Sequence, residues 1–180
     1  MLTTMKNYRQ LKQQIELDYQ GSTSVRDMRF HLLCILALES GARVSDLLRL
    51  SWEDIDTNHK VVSYLNSKSK RYQQQNISDT FIQYLERYKE SIATLRYNQK
   101  IFYNHYKNST MSRVTANVRT KNQYGINFHQ LRKHAAKNIC NQKGVVLTSR
   151  FLGHARVSTT DIYLRTSQDE YLNQMKNTNI

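Results

Sequence analysis

Leu152-Gly153-His154-Ala155-Arg156-Val157-Ser158-Thr159-Thr160-Asp161-Ile162-Tyr163 places a histidine nine residues ahead of a tyrosine. Upstream, His129-Gln130-Leu131-Arg132 sets an imidazole three residues from a guanidinium, and Ala42-Arg43-Val44-Ser45-Asp46 supplies a second arginine. Arginines neutralise a phosphate, histidines manage protons, and a phenol can become a nucleophile. These are the groups needed to break a phosphodiester with the protein's own side chain. The sequence shows no plausible metal-ligand spacing and no nucleotide-binding glycine loop to do such chemistry otherwise, so neither metal nor cofactor is expected.

Composition points the same way. The 180 residues suit a single domain with short tails and a real core. Lysine and arginine number 27 against 14 acidic residues, a net charge of +13 that makes a polyanion the leading partner. The plainer reading of that charge is a solvated basic surface kept for solubility. The longest apolar run, Leu32 to Leu38, has seven residues, far short of a bilayer span. No lipidation signal occurs and the first residues lack a secretory apolar stretch, so no membrane partner and a cytoplasmic location are expected. Cys34 and Cys140 follow no disulfide pattern and read as reduced core thiols.

The chain has no proline and five glycines, which lets helices run with few interruptions. Helices are expected over residues 5–18, over 24–40 with Gly41 as its cap, and over 45–50 with Leu47, Leu48 and Leu50 facing the core. Residues 61–66 and 72–77 read as β-strands joined by Ser67-Lys68-Ser69-Lys70, a small hairpin or meander. Helices at 79–97 and 111–120 flank a loop at 98–110. Asn127 caps a further helix whose stripe is Phe128, Leu131, Ala135 and Ile139, ending near Gly144. Short helices follow at 146–152 and about 158–165, and Ser167-Gln168-Asp169-Glu170 opens a last one. The expected class is mainly α with a small antiparallel β-sheet, an α+β fold.

On its helix the His129–Arg132 pair shares one face, opposite the apolar stripe, and is expected to point out of the core. Taken singly, each candidate has an ordinary explanation. Either histidine could be structural, Arg43 and Asp46 could form a surface ion pair, and Tyr163 is one of twelve tyrosines.

Taken together, the segments resemble the tyrosine recombinase (phage integrase) family. Gly41 to Asp56 is similar to its first box, His129-Gln130-Leu131-Arg132-Lys133-His134-Ala135-Ala136 to its second, and Leu152 to Tyr163 to its third. The likeness runs from about residue 20 to 170, in family order. It implies the family's catalytic-domain fold and site-specific DNA recombination through a covalent 3′-phosphotyrosyl link. In that scheme Arg43 and Arg132 grip the scissile phosphate, Tyr163 attacks phosphorus, His129 accepts a proton and His154 stabilises the transition state. Lys68 best matches the family's hairpin lysine, which protonates the leaving oxygen, with Lys70 as rival. Asp46 is expected to orient Arg43. Lys133 and His134 stand where the family commonly has histidine then threonine.

About twenty residues precede the first matching helix, so the expectation is one catalytic domain over 1–180 without a separate core-binding domain. Short, catalytic-domain-only recombinases such as the fimbrial DNA invertases are the family members it resembles. The implied partner is double-stranded DNA, engaged by a homotetramer exchanging its C-terminal helix (167–180), with possible accessory DNA-bending proteins and association with the nucleoid. Two other readings stay open: type IB topoisomerase-like relaxation, and a non-catalytic DNA-binding regulator on the same fold.

Overall fold

A computed structural model describes residues 7–95 and 98–154. Tyr163 and the helices expected at 158–165 and 167–180 lie outside the described residues. Helix α1 (Tyr8–Gln20) starts at an Asn7 capping box and turns Leu11, Ile15 and Tyr19 inward. Helix α2 (Val25–Ser40) is the centre of the fold. Every residue from Leu32 to Leu38 is at most 1 % exposed, so this helix is enclosed on all sides. It packs against α1, against α4 (Asp79–Ser91) and against the long α6 (Phe128–Phe151).

The expected αL cap at Gly41 is present (φ 60°) and ends α2. One turn of helix follows, α3 (Val44–Leu47), with Leu47, Leu48 and Leu50 all buried as expected. The chain then forms an antiparallel meander of β1 (Ile55–Asp56), β2 (Val61–Asn66) and β3 (Arg71–Asn76), ordered β1-β2-β3. The register from Val61↔Asn76 to Asn66↔Arg71 leaves residues 67–70 as the turn.

Two expectations are corrected. Helix α4 stops at Ser91, short of residue 97, because the following chain is drawn into pairing with the end of the first box. Ile101 donates to the Leu50 carbonyl, Trp52 N–H to that of Gln99, and the Trp52 indole to that of Asn98. The supposed loop at 98–110 is more ordered than its polar composition suggested. It holds a small hairpin, β4 (Tyr103–Asn104) with β5 (Ser109–Thr110), behind the fully buried Ile101 and Phe102.

Helix α5 (Arg113–Tyr124) is capped by Ser112 and closed by Gly125. Helix α6 begins at the expected Asn127 cap and is broken at Gly144 (φ 80°, ψ 172°), where sequence placed a helix end. Cys34 is buried in the core and Cys140 half-buried; both are free thiols. Among the described residues, no helix is long and apolar enough to cross a membrane.

Gly41 serves two steric needs. Its φ is positive, and a Cβ there would lie 2.3 Å from the Phe151 ring. Gly41→Ala should therefore cost about 2–4 kcal/mol, the sum of αL strain and overpacking, measured as a lower urea midpoint at unchanged m-value.

Candidate functional site

Arg43 occupies the N-cap position of α3, in extended backbone just beyond the end of α2. Its guanidinium donates to Asn66 Oδ1 at 2.9 Å. The expectation that Asp46 orients Arg43 is thus corrected. Buried Asp46 instead accepts the backbone N–H of Ser67 (3.2 Å) and pairs with Arg49 (3.5 Å), tying α3 to the hairpin turn.

The second box departs from expectation more sharply. His129 is exposed at the start of α6, but Arg132 is 2 % exposed and belongs to the interior. Sequence periodicity placed the pair on a solvent face. Arg132 is buried because α6 packs against α2 and its side chain lies where two helices end. Its guanidinium donates to the Gly41 carbonyl and, at 2.9 Å, to the Leu152 carbonyl. Gly41 and Leu152 cap the C-termini of α2 and α6. Helix ends leave carbonyls without intrahelical partners and carry partial negative charge, so a fixed cation satisfies both requirements at once.

Arg132 Nη2 also stands 3.3 Å from His154 Nε2. A guanidinium only donates, so the imidazole must accept there, neutral and with its proton on Nδ1. The electrostatics agree. Burial, then the charges of Arg132, Arg43 and Lys68, push His154 down from 6.5 to about 4. His129 is likewise held below its ordinary value by partial burial and by Arg132, Lys133 and Arg43. Two boxes and the hairpin therefore converge on one strongly positive place. Lys68 is the turn lysine whose charge reaches His154; Lys70 sits in the left-handed region (φ 56°) at the turn's end.

The hairpin is sewn to the third box by amides. Gln73 Nε2 donates to the Arg150 carbonyl (3.4 Å) and Gln75 Nε2 to that of Phe151 (2.9 Å). This holds β3 against the end of α6, from which His154 follows.

A cleft of about 460 Å³ opens beside Arg43, His129 and Arg132. Its wall includes two residues that sequence reasoning missed, Arg113 and Asn117 of α5. Asn117 Oδ1 accepts the Phe128 N–H (3.0 Å) and so fixes where α6 begins. Arg113 did carry a signal: a cation in the first turn of a helix opposes the helix dipole and calls for another reason to be there. Tyr64, in β2, feels both Arg132 and Arg43, yet burial dominates and pushes its hydroxyl up to about 12, which disqualifies it as a ready nucleophile.

Two outcomes follow from this geometry. Arg132→Ala strands two helix-end carbonyls and leaves a cavity, and should lower unfolding free energy by about 2–4 kcal/mol. Arg43→Ala should cost under about 1 kcal/mol, a contrast that urea unfolding of the two variants measures. Secondly, His154 binds its proton less tightly folded than unfolded, so the unfolded chain takes up more protons between pH 6.5 and about 4. Stability should fall as pH is lowered through that window, and the slope should be shallower in His154→Gln.

Comparison with known proteins bears on what this site belongs to. Residues 3–170 match the phage integrase family. Tyrosine recombinase XerS of Streptococcus agalactiae is 28 % identical over 182 residues, covering 89 % of this chain and 51 % of XerS. A probable integrase/recombinase of Acholeplasma phage L2 is 27 % identical, covering 80 % of this chain and 51 % of that protein. The chain thus spans about half the length of these relatives. In fold, it is similar to XerA recombinase (TM-score 0.77, 16 % identity, 100 % of this chain and 67 % of XerA). XerH recombinase, in a structure bound to palindromic difH substrate, gives TM-score 0.77 at 20 % identity, with 97 % of this chain and 52 % of XerH covered. A helical body with a small antiparallel meander is the catalytic-domain architecture of those recombinases. On the family match over nearly its whole length, the chain belongs to the phage integrase family, the tyrosine recombinases.

Proposed function

We propose that the protein is a site-specific DNA recombinase that breaks and rejoins strands through Tyr163. The observation that carries the reading is the concentration of Arg43, Arg132 and Lys68 around one neutral histidine, His154. Cations gathered in this way form a place for a phosphate, and the developing charge of phosphoryl transfer is stabilised by such preorganised groups. A net charge of +13 and relatives that include recombinases bound to DNA support double-stranded DNA as the substrate.

In this mechanism the Tyr163 phenolic oxygen attacks phosphorus, passing its proton to His129. The bond from phosphorus to the 5′ oxygen breaks, and Lys68 delivers a proton to that oxygen. Arg43 and Arg132 hold the non-bridging oxygens, for which planar, permanently charged forks are suited. The neutral His154 offers Nδ1–H to the same group. The phosphotyrosyl bond conserves the energy of the one broken, so attack by a new 5′ hydroxyl reseals the strand without nucleotide. Of the two turn lysines, Lys68 takes the acid role because its charge reaches the site. Strand exchange proceeds within four protomers that trade C-terminal helices (167–180), with accessory DNA-bending proteins assisting and the nucleoid as the site of action.

A suicide-substrate assay with nicked duplexes drawn from the flanks of the coding locus tests the reading. The full chain should form a covalent adduct, and Tyr163→Phe should bind without forming one. An adduct in Tyr163→Phe removes Tyr163 from its role, and no adduct from the unmodified chain on any duplex it binds removes the recombinase reading. Lys68→Ala should slow cleavage by about 10²-fold or more, and a 5′-bridging sulfur should restore it because thiolate leaves unprotonated. Rescue of Lys70→Ala alone would reassign the acid.

A further inference from the structure

The turn that carries Lys68 has four backbone N–H groups, and two residues of the site, Asp46 and Asn66, accept all of them. Ser67 N–H is bound by Asp46. The other three go to Asn66, the last residue of β2: Lys68 (3.1 Å) and Ser69 (3.2 Å) donate to its Oδ1, and Lys70 (2.8 Å) to its backbone carbonyl. The same Oδ1 receives Arg43 Nη1 at 2.9 Å. The amide's other end, Nδ2, donates to Gln73 Oε1 at 2.9 Å, and Gln73 reaches the Arg150 carbonyl near the end of α6. Asn66 is 1 % exposed, so these bonds face little competition from water.

One amide orientation therefore serves both catalytic cations. The β2–β3 ladder ends at the Asn66↔Arg71 pair, so strand pairing alone does not set the turn beyond it. We propose that Asn66 is a positioning residue that fixes the Lys68 turn and Arg43 as one unit, so that proton donor and phosphate grip arrive together. This rests on the recombinase reading above. Alanine would strand a guanidinium and two amides. Aspartate would still accept all three but could not donate to Gln73.

Two measurements on the full chain test the proposal. The first is amide hydrogen exchange without DNA. Lys68 and Ser69 should exchange at least about tenfold faster in Asn66→Ala than in the unmodified chain, the ratio expected when a bond of about 1.4 kcal/mol is lost. Both should stay protected in Asn66→Asp. Unchanged protection in Asn66→Ala overturns the proposal; if that variant does not fold, loss of protection in Asn66→Asp does so instead.

The second is single-turnover cleavage of a nicked duplex with oxygen or sulfur at the scissile 5′ position. Asn66→Ala should be slowed by about 10²-fold with oxygen and regain at least a tenth of that rate deficit with sulfur, the remainder reflecting displaced Arg43. Equal slowing on both duplexes would show a merely structural role and overturn it. If the unmodified chain cleaves neither duplex, the recombinase reading fails, while the exchange data still decide whether Asn66 orders the turn.

Discussion

A permanently charged guanidinium lies where two helix C-termini meet, and the rest of the site is arranged around it. Arg132 joins the Gly41 carbonyl at the end of α2 to the Leu152 carbonyl at the end of α6. The first carbonyl stands two residues before Arg43, and the second two residues before His154. Fixing these carbonyls therefore fixes both neighbours. Burying a cation is ordinarily costly, and here the negative ends of two helices offset part of that cost. Gly41 makes the arrangement possible, since any side chain there would meet Phe151.

The small sheet acts as a bracket. On one side, Asn66 and the turn amides bind Arg43 and Asp46 from the first box. On the other, Gln73 and Gln75 bind the carbonyls of Arg150 and Phe151 just ahead of His154. Residues 21 to 77 positions apart in sequence are thereby held together by hydrogen bonds. Burial first, and then the nearby cationic charge, pushes both histidines towards their neutral forms.

Much of this was legible in the sequence, and the reasons differ by element. Seven consecutive apolar residues from Leu32 announced a central, fully enclosed helix, and Gly41, Asn127 and Gly144 marked boundaries through local backbone chemistry. The family was readable because three short segments carry its residue types in its order. Sequence pattern alone overextends helix α4 and makes the 98–110 segment a loop. Its pairing partners, Leu50 to Trp52, lie some fifty residues upstream, and local pattern carries no information about them.

The sequence by itself determined the central helix, the hairpin and the net charge, because periodicity, capping and composition are local properties. Tertiary structure alone decided that Arg132 is an interior cation rather than a surface one, and that Arg43 is held by Asn66 rather than by Asp46. It also brought Lys68 within electrostatic reach of His154. Each of these depends on which helix ends and strands come together, and a guanidinium's surroundings are set by distant carbonyls and amides that no spacing along the chain specifies.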